Sequence, residues 1–329
     1  MESPSRIERL RRLLPFASLA WGVTSALLMN RSPERAWLVS TAVVLGWAFL
    51  ALAASLRRNV SPDDPRLNRR LLRYSSVVGT QSLVQLTLFF VLPLFFASAH
   101  RTFGHWVFLG LLLAAAASTL WDPLFTRLFS RPVGALTLVA LSSFSGLLAT
   151  LPYLGVGHLM SLRWATFATA LALPLSALAT SPLGARRRAA LAGLLGAVVL
   201  VLLVFVGAAR IVPPAPLRLV DIGLGTQMNR ETRTLQGRAT VFERRTERLV
   251  CFTSISAPLG LSEPMAHVWS VEGREDVHVP LKVEGKAKGG WRTWSTHSVA
   301  TGNGGSVSCA VQTETGQSLG ELTVEVGGE

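Results

Sequence analysis

Negative charge is scarce over the first two thirds of this 329-residue sequence. Up to Arg210 there are six carboxylates (Glu2, Glu8, Glu34, Asp63, Asp64, Asp122) and no lysine. Cysteine is scarcer still, with Cys251 and Cys309 the two in the chain. Charged residues make up 16% and apolar residues 50%, where an ordinary soluble domain carries about 25% charged residues. This composition excludes a disordered chain and does not fit a typical cytosolic enzyme. No Cys-x-x-Cys pair is present, so neither a thioredoxin-like redox site nor a zinc knuckle is supported. There is no Gly-x-Ser-x-Gly elbow and no phosphate-cradling glycine loop; Gly302-Asn-Gly-Gly305 reads as a hairpin turn.

What is present is arginine. The net charge is +13, which taken alone suggests nucleic acid, but its placement excludes that partner. Twenty arginines precede Ile211 against the six carboxylates, a balance of +14, and the remaining residues sum to −1. The arginines lie in short clusters between apolar runs, the layout of a polytopic membrane protein.

A helix crossing the bilayer needs about 20 mainly apolar residues. Seven such runs are expected to span: Leu13–Met29, Trp37–Leu56, Tyr74–Ser98, Phe103–Trp121, Val133–Gly157, Trp164–Thr180 and Ala189–Ala209. Segments before the odd-numbered runs hold 15 arginines and the intervening loops hold four. Positive residues stay inside. The expected topology puts the N-terminus in the cytoplasm and the C-terminal part in the periplasm, in a bacterial inner membrane. Arg11-Arg12 precedes the first run without a small-x-small cleavage site, so that run is expected to be a retained signal anchor.

No carboxylate or cation lies mid-span; Asp122 sits at the end of the fourth run. The notable intramembrane polar pair is Gln81 and Gln85, one helical turn apart on one face, read first as interhelical hydrogen-bonding glue and second as a substrate contact. Pro93, Pro152 and Pro174 mark kinks, which do not imply gating. Gly193 and Gly196, with Ala189, Ala192 and Ala197, give the last run a small-residue face for close packing.

After Arg210 the pattern changes. Residues 211–216 (Ile-Val-Pro-Pro-Ala-Pro) form a stiff linker, and residues 217–329 read as a separate domain. Alternating segments predict strands at Leu217–Leu224, Ala239–Glu243, Arg248–Ile255, Ala266–Val271, Val277–Val283, Trp291–Val299, Ser306–Thr313 and Leu319–Val326. Eight short strands in this length predict an all-β antiparallel sandwich behind the α-helical bundle. Cys251 and Cys309 fall mid-strand with apolar neighbours. On the oxidising side of a membrane they form either an inter-strand bridge, the reading adopted here, or two buried thiols.

The richest segment runs from His267 to Ser295, with His267-Val-Trp269 and Trp291-Arg-Thr-Trp-Ser295. On His267, Trp269, Trp291, Arg292, Thr293, Ser295 and the closing Gly316-Gln-Ser-Leu-Gly320, the sequence over Leu217–Val326 resembles the bacterial domain of unknown function 2914. It departs from that family at Gly305-Ser306-Val307, where the family carries Gly-x-Trp. The resemblance implies a compact β-fold, often behind membrane spans, and no established activity. The multi-span part also resembles a membrane module paired with this domain in some bacteria.

His267 and Trp269 share a strand face with Met265 and Val271, which reads first as a core His and a core Trp. Trp291 and Trp294 have opposite parity, so one is expected inward and one outward. An outward Trp beside Arg292 offers a stacking surface for a sugar or aromatic group. His267, His278 and His297 have no local metal spacing, so no metal is expected, nor any other cofactor. Ser295 and His297 lack an acid partner, and no enzyme is indicated. The expectation is an uncharacterised membrane protein whose β-sandwich binds an envelope protein or glycan. The alternatives are a membrane carrier, channel or receptor capped by that domain, and a membrane-bound enzyme using His267 and Arg292.

Overall fold

The computed structural model describes residues 40–41, 43–48, 50, 52, 67–100, 102–180, 183–243, 246–285, 290–299 and 305–328. The first apolar run lies outside them, and the second is described in part, as helix. The fully described helices are α1 (Leu67–Ser98), α2 (Phe103–Leu120), α3 (Asp122–Ser130), α4 (Pro132–Thr150), α5 (His158–Thr180) and α6 (Arg186–Ile211).

Four helical segments are long and apolar enough to cross a membrane: Ser75–Ser98, Phe103–Leu120, Val133–Leu154 and Arg186–Ala208. The expected count of seven is therefore not reached among the described residues. The sixth run is helical within α5 but is diluted by Thr166, Thr169 and Ser176, all buried. Helix hydroxyls return to main-chain carbonyls one turn earlier, as in Thr80 to Ser76, Thr87 to Leu83 and Thr166 to Leu162. Such back-bonds let polar residues sit in an apolar helix without orphaned donors. Helix α3 begins with Pro123 in its first turn and buries Phe125 and Phe129, whose rings stack at 5.2 Å.

The chain divides into two compact units. One comprises Met1–Leu94, Phe108–Leu154 and Ser161–Val206; the other comprises Phe95–Val107, Gly155–Met160 and Gly207–Glu329. In the first unit, α6 buries Gly193 and Ala197 of the expected small-residue face, while Ala192 is exposed. A Cβ on Gly193 would lie 2.7 Å from Pro174 Cα and 3.0 Å from Leu173 O of α5, whereas one on Gly196 meets nothing closer than 3.9 Å. Gly193 thus permits a close backbone approach.

Among the described residues the second unit is built around ten strands: β1 (Arg218–Gly225), β2 (Gln227–Asn229), β3 (Thr234–Gln236), β4 (Val241–Glu243), β5 (Arg248–Ser256), β6 (Ser262–Val271), β7 (Val277–Glu284), β8 (Trp291–Ser298), β9 (Gly305–Thr313) and β10 (Ser318–Gly328). They form a three-stranded sheet, β1-β5-β8, a five-stranded sheet, β4-β10-β9-β6-β7, and a hairpin, β2-β3. One expectation is corrected: β4 runs parallel to β10, so the domain is mixed rather than wholly antiparallel. The β2-β3 hairpin was not foreseen, because its three-residue strands are too short to show alternation.

Apolar residues from both sheets interdigitate. One cluster joins Leu224, Leu249 and Cys251 with Trp269, Val307, Cys309 and Val324. A second joins Leu217 and Ile255 with Met265, Val283 and Val311. This is the two-layer arrangement of a sandwich. Cys251 on β5 and Cys309 on β9 are disulfide-bonded across the layers, 58 residues apart in sequence. Residues 212–217, which include most of the proline-rich linker, are buried.

Candidate functional site

Strands β6 and β8 carry most of the residues singled out in the sequence, and strand parity sorts them. His267, Trp269 and Ser295 point into the sandwich and are buried. There they join Thr253 of β5 in one hydrogen-bonded group. Ser295 Oγ accepts from Trp269 Nε1 at 2.9 Å and lies 2.7 Å from His267 Nδ1. His267 Nε2 lies 2.9 Å from Thr253 Oγ1. Both ring nitrogens are thus occupied. With no charged partner, burial pushes the His267 imidazole down to about 4, so the ring is neutral near neutral pH. Trp269 pairs in register with Cys309, and Ser295 with Cys251, which sets the polar group beside the disulfide. His297, partly buried, lies over Trp269 at 5.5 Å between ring centroids.

The ligand atoms of Cys251, His267 and Cys309 lie within 4.8 Å of one another, close enough for a metal ion. The two sulfurs are bonded to each other, however, and both His267 nitrogens face hydroxyls. A disulfide offers no thiolate, so the donor set does not fit a metal while the bond stands.

Arg292 and Trp294 point the other way, onto the outer face of the three-stranded sheet. Arg292 is exposed and Trp294 half-buried, while Trp291 packs from the inner side against the second apolar cluster. Trp294 pairs in register with Phe252, which in turn faces Gly223 on β1. The β2-β3 hairpin folds onto this face. Leu235 fills the space above Gly223 and Gly225, where any Cβ would collide with it. Arg292 reaches the hairpin loop, donating to Thr232 O at 3.5 Å. Arg238 holds its base through Asp221 and the main-chain oxygen of Ile222.

A second group, not singled out in the sequence, lies elsewhere in the same unit. Glu263 is inward-facing on β6 and 1% exposed. Its Oε2 accepts from the main-chain N–H of His158, the first residue of α5, at 2.8 Å. Gln317, also buried, donates from Nε2 to Val212 O at 2.6 Å, and its Oε1 meets His158 Nε2 at 2.6 Å and Thr315 Oγ1 at 2.8 Å. His158 Nδ1 is buried and has no hydrogen-bond partner among the described residues. Desolvation raises the Glu263 carboxyl above its ordinary range, against the lowering effect of the His158 amide; Glu314 adds to the rise. Burial lowers the His158 ring. One signal was available: Glu263 shares parity with Met265, His267 and Trp269. It was missed because the predicted strand began at Ala266, whereas Pro264 is accommodated near the start of β6, beyond the last β9 partner.

In the same unit, His105 accepts from the main-chain N–H of His100 at 3.0 Å, and its Nε2 is buried without a partner among the described residues. In the other unit, Gln81 donates both amide hydrogens, to Thr119 O at 2.9 Å and Asp122 Oδ1 at 2.8 Å. Gln85 is buried one turn along.

Comparison with known families assigns both parts of the chain. The family described as "Family of unknown function (DUF5924)" matches residues 2–249, and "Protein of unknown function (DUF2914)" matches residues 262–326. The second match begins at Ser262 of β6 rather than at Leu217, so β1 to β5 lie outside it. No curated protein and no solved structure matches the chain.

Proposed function

The chain belongs to the DUF5924 family, a family of unknown function, and on that premise we propose that it is a multi-pass inner-membrane protein that displays a disulfide-locked β-sandwich in the periplasm to bind an envelope protein or glycan. The proposed topology has seven spans with the N-terminus cytoplasmic. Its support is the arginine distribution and an inter-sheet disulfide of the kind that persists in oxidising compartments. Segments 95–107 and 155–160, which contain the connections after the third and fifth runs together with adjoining helix ends, cluster with the β-domain, as a shared side requires.

The observation that carries the binding reading is the sorting of residues on β8. Ser295 is spent in the core, while Arg292 and Trp294 lie on the outer face with the hairpin beside them. Such an aromatic and guanidinium pair suits stacking on a sugar ring or an aromatic side chain. A catalytic reading of His267 finds no support, since its nitrogens are held by core hydroxyls. The carrier reading gains nothing from Gln81, whose donors are both engaged.

A photo-crosslinking residue placed at Thr296, exposed on this face, in cells expressing the full chain tests the proposal. The expected result is a discrete adduct that is lost in Trp294→Ala and absent when the probe sits at His278 on the other sheet. Equal labelling from both positions would overturn the reading. A reporter fused after residue 211 is expected to be active only outside the cytoplasm.

A further inference from the structure

We infer that Glu263, completed by His158 and Gln317, is a proton-binding site that grips the first turn of α5. The argument begins with Gln317. Its Nε2 donates to a carbonyl, Val212 O, which fixes the amide orientation and leaves Oε1 facing His158. An amide oxygen only accepts, so His158 Nε2 carries the ring proton and Nδ1 is a bare lone pair. That lone pair is buried and unpartnered, on the same residue whose main-chain amide holds Glu263.

Glu263 is a buried carboxyl without a countercharge. No lysine or arginine lies within ion-pair distance of it among the described residues. The charged groups around it are few. Glu314, in the turn after β9, bears the same sign. On β7, Lys282 and Glu284 flank its register partner Val283 and pair with each other at 3.7 Å on the exposed face. From α5 comes His158, already described. A buried anion needs compensation, and here it comes from one N–H and the positive end of a helix. Taking a proton from water removes the buried charge. The carboxylic acid O–H then turns to the vacant Nδ1 of His158, to which nothing is hydrogen-bonded in this structure, while the other oxygen keeps the amide. Two atoms that each lack something in the ionised state are satisfied together in the protonated state.

This site is independent of the partner-binding face, and either can fail without the other. The test uses the full chain in lipid nanodiscs and pH-dependent difference infrared spectroscopy. Wild type is expected to show a protonated-carboxyl C=O band that persists after ordinary glutamates have ionised, at about pH 4.3. Glu263→Gln, which keeps the shape and the acceptor oxygen, is expected to remove that band. Glu314→Gln, outside the buried group, is expected to move its midpoint to lower pH. The melting temperature supplies a second readout. A carboxyl with a raised folded-state pKa contributes stability present at low pH and lost as pH rises through that pKa. The wild-type melting temperature should therefore fall over this interval, and the Glu263→Gln profile should be flatter. A band that survives Glu263→Gln, no such band in wild type, or superimposable melting profiles would each overturn the inference.

Discussion

At the scale of single residues, Ser295 and Arg292 stand three apart on one strand and have opposite fates. Ser295 Oγ serves two core groups, His267 and Trp269. Ser295→Ala leaves both without it and is expected to cost about 1–3 kcal/mol, measured by denaturant unfolding of the β-domain signal in the full chain. Arg292→Ala removes one long bond from an exposed side chain and is expected to change stability by less than about 0.5 kcal/mol. His267 makes the core acid-sensitive. Its pKa is depressed from about 6.5 to about 4, so its contribution is fully present above pH 6.5 and is lost as pH falls through 4. The loss is of the order of 3 kcal/mol. A His267→Gln variant should show a flatter acid limb between those values in a pH series of unfolding midpoints. The same pH dependence in both proteins would contradict the assignment.

At the scale of elements, close approach is what the glycines of α6 provide. Gly193→Ala places a Cβ 2.7 Å from the α5 backbone at Pro174, while Gly196→Ala enters ordinary contact space. The first is expected to lower thermal stability in detergent by about 1–3 kcal/mol. The second is expected to be neutral or slightly stabilising, since alanine is the better helix former. Equal effects would show that α5 and α6 do not meet at Gly193. In the β-domain, the hairpin over β1 depends on Gly223 and Gly225 in the same way, because Leu235 fills the volume their side chains would take. The seven longer strands, and the three-residue β4 within its longer alternating segment, were visible as alternation. The hairpin was not, since its position is set by what it covers rather than by its own three-residue pattern.

At the scale of the whole molecule, the two family matches do not coincide with the β-domain. The sandwich takes β1, β4 and all of β5 from outside residues 262–326, and Cys251 falls between the two matched segments. Residues 262–326 alone lack two of the three strands of one layer, β1 and β5, and half of the disulfide. They are expected to show no cooperative unfolding transition by circular dichroism. In the full chain, the disulfide closes a loop of 58 residues, which the chain-entropy argument values at about 4 kcal/mol. Reduction is expected to lower the unfolding midpoint of the β-domain while leaving helical content unchanged.

Much of this protein was determined by local pattern. Apolar runs free of carboxylates, arginine clusters between them and period-two alternation after Arg210 are each set by neighbours in sequence. They sufficed for a helical part followed by a β-domain. Parity alone suggested that His267 and Trp269 face a core. What only the tertiary structure decided is which distant groups meet. Ser295 beside His267, Cys251 across from Cys309, Arg292 on the hairpin loop and Glu263 at the amide of His158 all depend on register between elements far apart in the chain. Burial acts on that assembled surface. The desolvation that raises Glu263 and lowers His267 exists only once other strands and segments have closed over them, which no window of sequence contains.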